Sequence, residues 1–258
     1  MTSRTVLVTG AAGGIGAAVA RLLAERGDTV VAVDLDPRRL TERVSKLTAD
    51  GLAVHARPAD VTSSAAVEAL VDGAERELGP LEALVNTAGV LRVGAAHRLD
   101  ERDWDATFAV NSRGVFLMSR AVVHRMIPRG RGALVTVTSN AAGTARTGMA
   151  AYAASKAAAT AYTKCLGLEV ARYNIRCNVV APGSTDTPML RDMHPDGTAT
   201  ALCVAGSLDT YKVGIPLGKV ARPRDVAHAV GYLLSDEAGH VTMQTLTVDG
   251  GATLGAAT

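Results

Sequence analysis

Residues 5–16 read TVLVTGAAGGIG, and the fold is decided by how that stretch is interpreted. Thr5 to Thr9 is a short run of β-branched and aliphatic residues with no alternation of polar and apolar positions, as expected of a strand covered on both faces. Gly10, Gly14 and Gly16 then follow in a G-x-x-x-G-x-G spacing. An apolar pattern of helical period spans 14–26, with Gly27 as its stop. Glycines between a strand and a helix leave no side chains in the way of a ligand. A pyrophosphate can then reach the free N–H groups and the positive dipole end of the helix. Glycine spacing alone is weak evidence, but its place after the first strand and before the first helix makes a dinucleotide turn the better reading.

The same alternation continues outward from this unit. Strands are predicted at 29–34, 52–57, 81–86, 133–138, 175–181 and 244–248, and helices at 37–49, 63–78, 100–108, 112–127, 151–173 and 223–234. Seven strands alternating with helices imply right-handed crossovers and parallel pairing. The expected architecture is therefore α/β: a Rossmann-like, doubly wound, seven-stranded parallel sheet with helices on both faces. No linker or repeat divides the chain, so residues 1–258 are read as one domain. Residues 184–215 break the pattern, with Pro188, Pro195, Gly197, Gly206 and Gly214 and little periodicity. A connection of that length reads as a substrate lid.

Composition agrees with this architecture. Of 258 residues, 48% are hydrophobic but only 3% aromatic, so the core must be built from slender aliphatic side chains packed in layers. Lys and Arg number 27 against 25 Asp and Glu, which excludes the strong basic field of a nucleic-acid or membrane-surface binder. Cys165, Cys177 and Cys203 are odd in number and widely spaced, and the six histidines show no metal-ligand spacing, so neither disulfides nor a metal is expected. His194 is the one histidine in the lid region. The start, Met-Thr-Ser-Arg, carries no signal-peptide core and no long apolar span follows, so a soluble cytoplasmic protein is expected.

Asp34 ends the second strand, 18 residues after Gly16. A carboxylate there accepts hydrogen bonds from the two adenosine ribose hydroxyls and repels a 2′-phosphate, which favours NAD over NADP. Nothing basic stands at Ala11 or Ala12, and Arg38 and Arg39 are read as helix-surface residues. Gly10, Gly14, Ile15, Gly16, Asp34 and Leu35 are the expected cofactor contacts of this half.

Tyr152 and Lys156 lie at i and i+4 near the start of a long helix and share one face. An ammonium beside a phenol favours phenolate and yields a proton acceptor near neutral pH. Ser139 follows the strand ending at Thr138, at the sheet edge where such folds bind ligands, and Asn111 opens a helical segment. Any one of these is common by chance; together behind a nucleotide turn they form a candidate active site.

With those residues in view, the chain resembles the short-chain dehydrogenase/reductase family over its whole length. The resemblance is carried by TGAAGGIG (9–16), Asp60-Val61, NTAG (86–89), Asn111, Ser139, YAASK (152–156) and PGSTDT (182–187); Thr87 departs from the family's NNAG. It implies that Tyr152 is the general base and that Lys156 lowers its pKa and binds the nicotinamide ribose. Ser139 would steady the substrate oxygen and Asn111 hold a water of a proton relay. Asp60 and Val61 would flank the adenine, Asn86, Ala88 and Gly89 line the cofactor, and Pro182, Gly183, Thr185 and Thr187 line the nicotinamide. It also implies a homotetramer built on the 112–127 and 151–173 helices, with Ala153, Ala154, Ala157, Ala158, Ala159 and Ala161 allowing close approach.

A narrower likeness lies in loops near the site: VLRVGA (90–95), WDATFAVN (104–111), ARTGMAAY (145–152), IRCNVVAPGSTDTPM (175–189), YKVGIPLGKVARP (211–223) and VDGGATLGA (248–256). These resemble the 2,3-dihydro-2,3-dihydroxybenzoate dehydrogenases of catechol siderophore synthesis. The implied reaction is NAD-dependent oxidation of a cyclohexadiene diol acid to the aromatic 2,3-dihydroxybenzoate. An anionic substrate calls for a cation, and Arg146 is the first candidate, Arg92 the second. Met189 and Met193 would pack over the ring. The alternatives are 2,3-dihydro-3-hydroxyanthranilate oxidation, a general alcohol dehydrogenase, and a non-catalytic nucleotide sensor. Asn140 bears on the first, because the siderophore enzymes tend to carry an acidic residue there.

Overall fold

The computed structural model describes residues 4–193 and 197–255. The first strand, β1 (Thr5–Thr9), runs into α1 (Gly14–Glu25), β2 (Thr29–Asp34), α2 (Pro37–Ala49), β3 (Val54–Pro58), α3 (Ser64–Leu78) and β4 (Leu81–Asn86). There follow α4 (Glu101–Phe108), α5 (Val115–Met126), β5 (Gly132–Val137), α6 (Ala150–Val170) and β6 (Ile175–Pro182). The chain continues through α7 (Pro188–Asp192), α8 (Ala199–Ala205), β7 (Gly206–Ser207), β8 (Lys212–Val213), α9 (Pro223–Leu234) and β9 (Thr245–Val248).

The main sheet has seven strands in the order β3-β2-β1-β4-β5-β6-β9, every neighbouring pair parallel. Strand β1 shows why both faces are covered. Its Val6 and Val8 enter a core shared with Leu22 and Leu23 of α1, Leu40 of α2 and Val230 of α9. Leu7, between them, enters the opposite core with Val71 of α3 and Met118 and Val122 of α5. Successive side chains of a strand point to opposite faces, so an uninterrupted aliphatic run demands an apolar layer on each side.

Strand order reverses between β1 and β4, which opens a crevice beyond the carboxyl ends of these two strands. The crevice is held narrow. Thr9, fully buried, accepts hydrogen bonds at its Oγ1 from the backbone N–H groups of Thr87 and Ala88, both 3.1 Å, and the Thr87 hydroxyl donates to the Thr9 carbonyl. Gly10 turns away at φ +68°, and a Cβ there would lie 2.9 Å from the Ala88 backbone. At Gly16 a Cβ would lie 2.2 Å from the Gly10 carbonyl oxygen and 2.6 Å from Thr87 Oγ1.

Three local expectations need correction. The predicted helices 100–108 and 112–127 are joined: α4 and α5 are linked by a turn of π-helix, Ala109–Gly114. No breaker separates them, and the wider turn shifts the phase of the helix so that Asn111 becomes fully buried. The third strand begins at Val54 rather than 52, because the Leu52 N–H is drawn back to the Leu47 carbonyl at the end of α2. The 184–215 segment, read as an irregular lid, contains α7, α8 and the antiparallel β7–β8 ribbon. Elements of two to seven residues are too short to show a period in the sequence.

Replacing Gly16 by Ala is expected to cost about 2–4 kcal/mol of stability, because backbone on one side and a hydrogen-bonded threonine on the other must give way. Urea unfolding of the variant against the parent checks this.

Candidate active site

A groove of about 320 Å³ runs along the switch point. Its lining includes Gly10, Gly14, Ile15, Gly16, Asp34, Leu35, Asp60, Val61, Ala88, Gly89, Thr187 and Met189. Each of these is among the residues expected from the sequence. Helix α1 starts at the groove with Gly13 as its N-cap and no side chain bonded to its first N–H groups. Asp34 is held in place: its Oδ2 accepts from Ala12 N–H (3.0 Å) and its Oδ1 from Asp36 N–H (3.2 Å). A carboxylate has about four acceptor positions, so two remain for ribose hydroxyls. Asp60 accepts from both the N–H (2.8 Å) and the hydroxyl (2.7 Å) of Thr62, which fixes the loop carrying Val61. A cradle that a Cβ would fill, an uncapped helix start and an anchored carboxylate together fit a dinucleotide.

Further along, the chemistry-bearing residues converge. Strand β5 ends at Val137, and Ser139 follows in extended conformation as the cap of a short 3₁₀ turn, its Oγ accepting from Ala141 N–H at 3.1 Å. The Ser139 hydroxyl also bonds the Tyr152 phenol. Tyr152 is the third residue of α6, and Lys156, one turn on, is 4% exposed. Lys156 Nζ donates to the Val137 carbonyl (3.1 Å) and lies 5.8 Å from the centroid of the Tyr152 ring. A Cβ on Gly89 would fall 3.2 Å from both Lys156 Nζ and Asn111 Oδ1, so the NTAG turn, Asn111 and Lys156 meet at one point.

The electrostatics differ from the sequence expectation. Burial pushes the Tyr152 phenol above its usual pKa, and the Ser139 hydrogen bond only partly opposes this. Burial also lowers Lys156 to about 8. Lys156 was expected to pull the phenol down, but in this geometry its ammonium donates to a backbone carbonyl and desolvation dominates both groups.

Several residues expected from the sequence sit elsewhere than in the groove wall. Asn86 is buried with its amide donating to Ser119 of α5 at 3.0 Å, so its side chain braces β4 from behind. Asn111 is fully engaged: Oδ1 accepts from Val90 N–H (2.9 Å), and Nδ2 donates to Val90 O (2.9 Å) and Ser155 Oγ (3.0 Å). Gly183 makes room for Asp249, whose Cβ would be 2.6 Å from an added methyl. Pro182 ends β6 against Val248, and the buried Thr185 donates to the Gly183 carbonyl at 3.1 Å. Thr187, by contrast, does line the groove, where it caps α7 beside Gly14. Arg92 forms an exposed ion pair with Asp103 at 3.5 Å. Arg146 is half-buried and makes no side-chain bond among the described residues, and its loop is tied to that of Arg92 by Gly94 N–H to Gly148 O at 2.9 Å. Met193 lies just past α7, and His194 lies outside the described residues.

Sequence reasoning missed Thr9, Thr87, Ser155 and Arg39. Thr9 and Thr87 bond each other across the switch point and Ser155 Oγ accepts from the Asn111 amide, long-range pairings that no local pattern announces. Arg39, expected on the helix surface, is exposed but lines the groove, with Nη2 3.6 Å from where a Gly13 Cβ would be. Among the described residues no group of His, Cys, Asp and Glu could hold a metal ion, and no helix is long and apolar enough to cross a membrane.

Comparison with known proteins matches residues 4–197 to the short chain dehydrogenase family. A 2,3-dihydro-2,3-dihydroxybenzoate dehydrogenase of Bacillus subtilis (strain 168) is 55% identical over 98% of this chain and 97% of its own length. The Escherichia coli (strain K12) enzyme of the same name is 41% identical over 99% of each chain. Among solved structures, a gluconate 5-dehydrogenase from Burkholderia cenocepacia J2315 in complex with NADP and tartrate superposes with a TM-score of 0.90 at 32% identity, over 99% of this chain and 97% of that one.

The lowered Lys156 pKa has a sign that can be tested. A lysine at about 8 folded and near 10.5 unfolded opposes folding while both states are protonated, below pH 8. That opposition, about 3 kcal/mol, fades as pH rises from 8 to 10.5 and is gone above it. Lys156→Met is therefore expected to raise thermal stability at pH 7 and to lose that advantage by pH 10.5, while abolishing turnover. Paired melting curves across this range check it.

Proposed function

The chain belongs to the short-chain dehydrogenase family, and on that footing we propose that it oxidises 2,3-dihydro-2,3-dihydroxybenzoate to 2,3-dihydroxybenzoate with NAD. It is an oxidoreductase with a nicotinamide cofactor. The substrate reading is carried by the 55% identity over 98% of the chain to an enzyme of that name. A siderophore or related secondary-metabolite setting follows from that reading.

When bound, NAD supplies the hydride acceptor. The residues of the chain then have separable tasks. Ser139 donates to the oxygen of the C3 alcohol and fixes it against Tyr152. Tyr152 takes the hydroxyl proton as the C3 hydrogen leaves with its electron pair. Lys156, close to both the Gly89 turn and the phenol, places a positive charge that favours phenolate when protonated. Asn111 ties the NTAG turn to α6 through Ser155, and so sets the spacing between cofactor and base. The keto product enolises to the aromatic diol, and aromatisation draws the reaction toward oxidation. The described residues of the 184–215 segment act as a lid over this site, with Met189 on the groove wall as support for that role.

Arg146 grips the substrate carboxylate. Its support is a half-buried guanidinium without a partner among the described residues, whereas Arg92 is already paired with Asp103. The amino-alcohol substrate gains nothing from Asn140, whose amide donates to Asp249 at 3.2 Å. A homotetramer is part of the same proposal. Its support is an uncovered face where Phe116 of α5 meets Tyr162 of α6 edge-on at 5.7 Å and Arg120 lies 5.0 Å over the Phe116 ring. On that side of α6, Ala161 and Leu168 are exposed and Ala153, Ala154, Ala157 and Ala158 half-exposed, while Ala159 is buried against the chain's own sheet. A cytoplasmic setting is supported by three cysteines that stay unpaired.

NADH formation from the diol and from 2,3-dihydro-3-hydroxyanthranilate, measured side by side, tests the substrate; a faster amino alcohol overturns the choice. Arg146→Ala is expected to raise KM for the diol about tenfold or more with kcat nearly kept, since a charge-assisted bond is lost. An unchanged KM removes Arg146 from the site. Light scattering is expected to give four times the chain mass, and a monomer rejects the oligomer.

A further inference from the structure

The turn that carries Ser139 is held from behind by a carboxylate from the far end of the chain. Asn140, the next residue, is buried and donates its amide to Asp249 Oδ2 at 3.2 Å. Asp249 directly follows β9. The approach is close: a Cβ on Gly183 would lie 2.6 Å from the Asp249 Cβ and 3.3 Å from the Asn140 amide nitrogen. Glycine just past β6 leaves the room in which the two meet. Ser139 needs such a hold, because the 3₁₀ turn it caps, Asn140–Ala142, is a single short turn. A hydroxyl that must meet both Tyr152 and a substrate oxygen loses its effect with a small displacement.

The same carboxylate closes a turn of its own. Its Oδ1 accepts from Gly251 N–H at 2.9 Å, and its Oδ2 accepts also from the N–H (3.0 Å) and the hydroxyl (2.7 Å) of Thr253. Burial raises the pKa of this carboxyl, but the hydrogen bonds from Thr253, Asn140 and Gly251 outweigh it and hold it below its usual value. Asp249 is therefore an anion at neutral pH, and each of these bonds is charge-assisted. The residues inside that turn carry the base of the 184–215 segment. The Gly250 carbonyl accepts from Leu217 N–H at 3.1 Å. Ala252 shares a small buried cluster with Cys203 of α8 and Ile215, and Leu190 of α7 packs against it.

We propose that Asp249 is a positioning residue for the oxidation: it fixes the Ser139 hydroxyl through Asn140 and anchors the lid through the 249–253 turn. The two sides of the substrate site thereby keep one spacing. The proposal rests on the roles given above to Ser139 and to the lid. Its two arms are separable. Loss of the Asn140 bond releases the Ser139 turn and leaves the lid base in place, whereas loss of the carboxylate releases both.

Steady-state kinetics and amide hydrogen exchange on the full chain test this together. Asn140→Ala is expected to lower kcat about tenfold and to leave KM for the diol within about twofold. Asp249→Asn, nearly isosteric, is expected to lower kcat about as much and to raise KM for the diol about threefold or more. Combining Asn140→Asp with Asp249→Asn reverses donor and acceptor across the same gap, and is expected to recover most of the kcat lost in Asp249→Asn. Exchange is expected to quicken at 139–143 in both single variants, and at 199–217 only in Asp249→Asn. Unchanged kcat in both single variants overturns the proposal. So does a combined variant no better than Asp249→Asn, or exchange that quickens equally across the whole sheet, since either marks a residue that only stabilises the fold. If the unaltered protein forms no NADH from the diol, the substrate reading fails by itself. The exchange pattern then decides the positioning role, and unchanged exchange at 139–143 overturns it.

Discussion

One contact governs the geometry of this protein: the Thr9 hydroxyl accepting from the backbone N–H groups of Thr87 and Ala88. It joins the ends of β1 and β4 where the strand order reverses, at the mouth of the crevice. The apolar runs pair the strands, but they do not say how the loops beyond them meet. Here a buried side-chain acceptor satisfies two N–H groups that would otherwise be unpaired. Gly10 and Gly16 let the backbones close to that distance. The NTAG turn is thereby set against Asn111 and Lys156, and the catalytic half of the site inherits its position from a threonine in the nucleotide half.

The second constraint is desolvation. Tyr152 and Lys156 are shifted in opposite directions by the same cause, each toward its neutral form. Desolvation disfavours the charged form of each, phenolate and ammonium alike. Dense packing around both groups is the cause, with the lysine nitrogen donating to the Val137 carbonyl at 3.1 Å.

Much of this was legible along the chain. The glycine turn, Asp34, Ser139, Tyr152 and Lys156 act at short spacing, within a turn or along one helix face, and local pattern suffices for them. The π-turn between α4 and α5 was not legible, because its inserted residue leaves apolar periodicity intact on either side and changes only the phase. Nor was the direction of Asn86, since a residue at a strand end can face the groove or the helix behind it, and only the position of Ser119 decides. Arg39 lies on the helix surface as its pattern implies, but only the fold shows that an exposed residue there overhangs the glycine turn.

The sequence by itself determined the parallel αβ architecture, the place of the glycine turn and the set of candidate site residues. Each depends on residue type and on spacing within one or two elements, where chain connectivity leaves few options. Only the tertiary structure decided that Arg92 is paired with Asp103, which asparagine braces and which bridges, and which way burial moves Tyr152 and Lys156. Those outcomes are set by groups brought together from distant parts of the chain, through hydrogen bonds and desolvation that no local pattern encodes.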